Sequence, residues 1–186
     1  MDPVPEQPHS LVSVCVSLGS NLGDRAARLA AAVAALRATP GISGVVLSSV
    51  YQTDPVGPPP QGPYLNAAVR FETSLAAEAL LSRLLEIESE QARRRTSERL
   101  GPRTLDLDLL LFGDRSIDEP GLVVPHPRMH LRAFVLEPLS EIAGTWVHPV
   151  LGETIAALAE RVRDPTAVRR LLAEATEAGR SNSSIN

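Results

Sequence analysis

The chain has 186 residues, 44% of them apolar and 22% charged, with a formal net charge of −4 at pH 7, the profile of one soluble globular domain with a core that buries on the order of 70% of the unfolded surface. The acidic balance argues against a nucleic-acid backbone as main partner. No run approaches the roughly 20 apolar residues of a membrane span, and the N-terminal MDPVPEQPHS lacks a signal-peptide pattern, so the expected compartment is the cytoplasm, and nothing requires more than a monomer.

Residues 1–9 hold three prolines and read as a flexible N-terminus. Residues 11–18 (LVSVCVSL) alternate apolar and small side chains as a strand does, and GSNLGD follows as a turn in which Asp24 or Asn21 caps a helix over residues 25–37. Residues 45–53 predict a second strand and residues 64–73 a third, joined by the Pro/Gly loop DPVGPPPQGP. A long helix over residues 76–95 leads to a strand at 104–112, a Gly113-Asp114 turn and a short return strand at 122–124. Residues 129–142, 154–163 and 167–178 read as helical. The predicted order β-α-β-β-α-β with added helices is the ferredoxin-like plan, an α+β class. The main domain is expected over residues 10–163, with a C-terminal helix and disordered tail over 164–186.

The chemistry concentrates in four segments. In GPRTLDLDLLLFGD, Asp106 and Asp108 share one strand face with α-carbons roughly 6.5 Å apart, while Leu105, Leu107 and Leu109 take the other. Two like charges among leucines suit a magnesium clamp, because magnesium takes one or two carboxylates and fills its other positions with water and phosphate oxygens. Taken alone, the pattern equally fits a solvated strand face. Upstream, Arg93, Arg94, Arg95, Arg99 and Arg103 lie within eleven residues, a density that matches polyphosphate recognition through guanidinium forks. A helix end paired with Glu86, Glu88 and Glu90 is the competing account of some of them. In VPHPRMHLRAF, His126 is held between two prolines with Arg128 and Arg132 nearby, whereas His130 and His148 read as surface or packing histidines. SLGSNLGD suggests a weak anion-binding turn at a helix start, without a Walker A lysine. The one cysteine, Cys15, excludes an intrachain disulfide, and all 18 basic residues are arginine. Phe71 reads as core, while Tyr64 and Phe134 are placed to stack on a planar ring.

SLGSNLGD, YQTDPVGP, YLNAAVRFETS, RRRTSERLGPRTLDLDLLLFG and VPHPRMHLRAFVLEPLSEIA together resemble the 6-hydroxymethyl-7,8-dihydropterin pyrophosphokinase family over roughly residues 14–142. The resemblance implies a three-layer α/β/α fold of ferredoxin-like type. It also implies transfer of diphosphate from ATP to a pterin alcohol in folate biosynthesis, with two magnesium ions on Asp106 and Asp108. It assigns Arg93, Arg95 and Arg103 to phosphate, His126 and Arg132 to the nucleotide side, and Glu88 to a family acidic position there. Tyr64 and Phe134 correspond to the rings that sandwich the pterin. Asn66, with groups near Thr53 and Val56, corresponds to its hydrogen-bonding edge. Leu100 stands where many members have Trp, and Ala92 where many have Gly. Rival readings are another magnesium-dependent phosphoryl or nucleotidyl transferase, which has no use for the Tyr64, Asn66 and Phe134 set, and a ligand- or RNA-binding module on the same ferredoxin-like fold, whose RNA-reading form the scarce aromatics and acidic charge disfavour.

Overall fold

The structure is a computed structural model and describes residues 10–54, 62–91 and 104–171. Among these residues eight strands, four α-helices and one 3-10 turn follow in the order β1 (Val12–Ser20), α1 (Arg25–Arg37), β2 (Ile42–Leu47), β3 (Tyr51–Thr53), β4 (Tyr64–Thr73), α2 (Ala77–Gln91), β5 (Asp106–Phe112), β6 (Ile117–Glu119), β7 (Leu122–Val124), the turn Met129–Leu131, α3 (Ala133–Ala143), α4 (Ile155–Val162) and β8 (Val168–Arg170). One antiparallel sheet runs β5-β1-β4-β3-β8, with β2 also on β4.

Helices cover both faces of this sheet, so its strands must be apolar on both sides. On β1 the alternation separates Val14, Val16 and Leu18, which join one core, from Cys15, which joins the other. The first core packs under α1, through Leu29, Ala32, Val33 and Leu36, and α2, through Ala77, Leu80, Leu84 and Ile87. Each set recurs at helical spacing. The second core lies under α3 and α4, where Val135, Leu136, Leu139, Ile155 and Leu158 meet Cys15, Ala68, Leu110 and Leu111. Burial pushes the Cys15 thiol far above its ordinary range, which leaves it an inert packing group.

Several elements differ from the sequence expectation. The strand expected over residues 45–53 is two strands, because at Ser48 the backbone N–H donates to the Ala68 carbonyl (2.9 Å) while the side-chain Oγ, rather than a backbone carbonyl, accepts from the Ala68 N–H (2.9 Å). A bulge between Ser43 and Val46, with Gly44 at φ +63°, lets pairing begin at Ile42. The segment at 122–124 pairs with β6 in a separate two-stranded ribbon, not as a return onto β5. The helix expected from residue 167 is instead strand β8 at its start, pairing with β3. An open sheet edge supplies unpaired backbone groups that outweigh local helix preference. Residues 172–178 of that expected helix, and residues 92–95 of the second, lie outside the described residues.

The β3–β8 edge is tied to α3 by one carboxylate. Tyr51 Oη donates to Glu141 Oε1 (2.6 Å), the Ser49 N–H donates to Oε2 (2.7 Å), and Arg170 Nε lies 3.3 Å from Oε1. Burial works against the charge on Glu141, but these donors and the Arg170 guanidinium outweigh it and hold the carboxyl below its ordinary value of 4.5. A depressed folded-state value means stability present in full above the ordinary value and lost as pH falls through the folded one. Glu141→Gln is therefore expected to cost on the order of 1–3 kcal/mol at neutral pH, a difference that shrinks as pH drops below about 4.5. Urea melts of both proteins across that range check this; a pH-independent difference would contradict it.

Candidate active site

The site forms at one end of the sheet, where three adjacent strands bring short side chains to the face covered by the start of α3. Directly opposed residues in antiparallel strands share a face. Gly19 of β1 faces Asn66 of β4 on one side and Asp106 of β5 on the other. Ser17 faces Ala68 and Asp108 in the same way. Leu107, between the two carboxylates, and Leu109, just after them, point to the opposite face and are buried, as is Leu105, the alternation that the sequence predicts.

Asp106 and Asp108 line two adjoining cavities. The first, about 210 Å³, is walled by Tyr64, Asn66, Arg132 and Phe134 over a floor of Ser17 and Gly19. The second, about 440 Å³, is lined by Glu88, His126 and Pro127 with apolar groups from α2 and β7. Asn66 is only 6% exposed and its Nδ2 donates to Thr53 Oγ1 (2.8 Å), which fixes which edge of the amide is presented to the cavity.

β5 is an edge strand, and Glu88 covers its edge: the Leu107 N–H donates to Glu88 Oε1 at 2.6 Å. This bond holds the backbone midway between the two aspartates. On the other side, His126 Nε2 and Arg132 Nη1 each stand 3.9 Å from Asp108 Oδ2. The His126 ring is oriented by its backbone, since its N–H donates to the Leu110 carbonyl (3.0 Å) and its Nδ1 accepts from the Arg128 N–H (3.2 Å). Burial pushes the His126 imidazole pKa down, more than the Asp108 charge raises it. Arg132 lies over the Phe134 ring, 5.6 Å from its centroid, so the cation and the aromatic wall hold each other in place.

Of the residues singled out in the sequence, Thr53, Tyr64, Asn66, Glu88, Asp106, Asp108, His126, Arg132 and Phe134 all gather at these two cavities or bond directly to a lining residue. Val56, Arg93, Arg95 and Arg103 lie outside the described residues. The anion-binding turn suggested for SLGSNLGD does not form in that way: Gly19 belongs to β1, as its last residue but one, and the Asp24 carboxylate occupies the start of α1 by accepting from the Ala27 N–H (3.0 Å). Ser17, Asp54 and Val135 also line the first cavity and were not singled out. For Ser17 the signal was available, two residues before Gly19 in an alternating strand.

A cleft with two carboxylates between an aromatic-walled pocket that also holds Arg132 and a second cavity edged by His126 and Glu88 has the form of a small-molecule enzyme site. Comparison with known proteins narrows it. The chain belongs to the 7,8-dihydro-6-hydroxymethylpterin-pyrophosphokinase (HPPK) family, whose sequence profile matches residues 15–144. A Synechocystis sp. protein named 2-amino-4-hydroxy-6-hydroxymethyldihydropteridine pyrophosphokinase is 46% identical over 164 residues, covering 88% of this chain and 81% of its own. A Bacillus subtilis protein of the same name is 49% identical over 127 residues, covering 68% and 75%. Among solved structures, Plasmodium falciparum HPPK-DHPS with pterin and p-hydroxybenzoate superposes with a TM-score of 0.64 at 15% identity, a likeness of fold. That match covers 84% of this chain and 44% of the longer one.

Gly19 generates a prediction. A Cβ built there would stand 3.4 Å from Asn66 Oδ1 and 3.9 Å from the Asp106 Cβ, so alanine fits and a larger side chain fills the space between them. Gly19→Val is expected to retain or gain thermal stability, since valine suits a strand, yet to lose at least about tenfold in turnover, with Gly19→Ala close to wild type. Melting curves and steady-state rates on the same samples decide it; a fully active valine variant would contradict the cleft floor.

Proposed function

We propose that the chain transfers the terminal diphosphate of ATP to the hydroxymethyl oxygen of 6-hydroxymethyl-7,8-dihydropterin, releasing AMP, as a step of folate biosynthesis. The observation that carries this reading is the position of Asp106 and Asp108, which line both the aromatic-walled cavity and the one beside His126. A planar acceptor in the first and a polyphosphate in the second would meet at the carboxylates. The curated relatives bear the name of that activity. The strand order β5-β1-β4-β3, antiparallel throughout, supports a ferredoxin-like reading of the βαββαβ core.

Among the described residues no third His, Cys, Asp or Glu joins the pair to complete a protein cage for a metal. Two half-buried carboxylates that line open cavities suit magnesium, which keeps water and phosphate oxygens in its remaining positions, and two such ions are proposed on Asp106 and Asp108. Bound there, magnesium draws charge from the phosphate oxygens. The chain's own groups do the rest. Tyr64 and Phe134 bracket the pterin ring, while Asn66, held by Thr53, and backbone near Val56 read its polar edge. Arg132, His126, Arg93, Arg95 and Arg103 receive the phosphates, and Glu88 sets the β5 edge on the nucleotide side. The substrate oxygen attacks the β-phosphorus in line, its proton passes to solvent water, and the bond to the α,β-bridging oxygen breaks so that AMP departs with that oxygen. No covalent enzyme intermediate is needed. No helix among the described residues is long and apolar enough to cross a membrane, and a cytoplasmic monomer acting on small molecules, without nucleic acid, is the proposed setting.

The test is product analysis with ATP, magnesium and the pterin alcohol: the reading expects AMP and pterin diphosphate, whereas ADP formation would contradict it. Asp106→Ala and Asp108→Ala are each expected to lose roughly a hundredfold or more in rate. Their melting temperatures should equal or exceed wild type in metal-free buffer, because a like-charge pair on one strand face is relieved. Near-normal turnover of either variant would remove the carboxylates from the mechanism.

A further inference from the structure

The corner between β1 and α1 makes three bonds of one kind, each from a side chain to a backbone carbonyl in a different site-bearing segment. Ser20 Oγ donates to the Thr104 carbonyl (2.6 Å), two residues before Asp106. A nitrogen of the Arg25 guanidinium donates to the Pro63 carbonyl, immediately before Tyr64. A nitrogen of the Arg28 guanidinium donates to the carbonyl of Gln91, the last residue of α2, three residues after Glu88.

We propose that this corner is a positioning device for the diphosphate-transfer site, in which Arg25 sets the pterin-side wall through Pro63, Arg28 sets the nucleotide side through the end of α2, and Ser20 sets the start of β5. The inference rests on the function proposed above.

Four observations favour a positioning role over incidental surface contacts. The corner is a defined turn: Gly23 makes it at φ +63°, Asp24 caps α1, and Ser20 and Asn21 are buried. Arg25 and Arg28 sit three residues apart, hence on one side of α1, and both are half-buried. The last carbonyls of a helix have no intrahelical donor, and α2 has no basic residue in its own last turn, so Arg28 supplies both the hydrogen bond and the favourable charge from a neighbouring helix. Gly62 packs against the same corner, where a Cβ would lie 3.8 Å from the Asn21 carbonyl. Arg28 also reaches the Gln91 side-chain Oε1 (3.4 Å), but each of the three segments is gripped through a main-chain oxygen, so the device reads chiefly the path of the backbone.

The test uses Arg25→Met and Arg28→Met in the full chain. Arg25→Met is expected to raise KM for the pterin alcohol about tenfold and KM for ATP less than twofold; Arg28→Met is expected to do the reverse. Lysine at either position should recover most of the loss, since one donor to one carbonyl needs no guanidinium fork. If a methionine variant fails to fold, its lysine counterpart still carries the test, with a smaller shift in the same one of the two constants. Hydrogen exchange without substrates reads the anchoring separately. Arg25→Met should increase exchange near residues 62–66 alone, and Arg28→Met near residues 88–91 alone. Equal changes in both KM values, or unchanged exchange at these segments, would overturn the proposal. A wild-type protein that forms no AMP would instead overturn the diphosphate-transfer reading, and the exchange result would still judge the corner.

Discussion

The site depends on the register of one strand. β1 lies between β4 and β5, and its pairing with each decides which side chains stand abreast: Asn66, Gly19 and Asp106 in one row, Ala68, Ser17 and Asp108 in the next. Because side chains alternate with a period of two, a slip of one residue on either side would bury the carboxylates among leucines and expose Leu107 and Leu109. Burial of both faces is what forbids the slip. The apolar sets under α1 and α2 and under α3 and α4 each require their own alternation, and only one register satisfies both.

Within that frame, charge is placed where the packing leaves room. Small residues on β1, Ser17 and Gly19, open a hollow that larger side chains would fill, and the two aspartates rim it. The basic side chains beside Asp108, His126 and Arg132, come from the chain that runs from β7 into α3, and each is held by its surroundings: backbone hydrogen bonds for His126 and the Phe134 ring for Arg132. Glu88 approaches from the opposite layer and grips the edge of β5 between the aspartates. Side chains from both faces of the sheet thus converge on the start of β5.

Much of this was legible in the sequence, and the reasons for the rest are physical. Helix α1 and strand β4 have the bounds read from pattern alone, because an Asp cap with a Pro-Gly stop, and a proline loop before ten strand-like residues, are local signals. The aspartate pair was legible for the same reason: alternation with leucine shows its face without any tertiary information. The break at Ser48 was not, since it depends on a hydroxyl meeting the Ala68 N–H across the sheet. Nor was β8, which exists because β3 offers it an edge. Gly19 reads as a turn residue until the partners on both sides are known, and only the register with Asn66 and Asp106 reveals it as the floor of the cleft.

If Asp106 and Asp108 stand where an acceptor pocket meets a phosphate pocket, a crystal structure with magnesium, the pterin alcohol and an ATP analogue whose α,β-bridge cannot be cleaved will show it. The ring is then expected between Tyr64 and Phe134, the phosphates against His126 and Arg132, and the carboxylates between ring and phosphates. A ring bound outside the Tyr64–Phe134 cavity, or phosphates bound away from both aspartates, would contradict it.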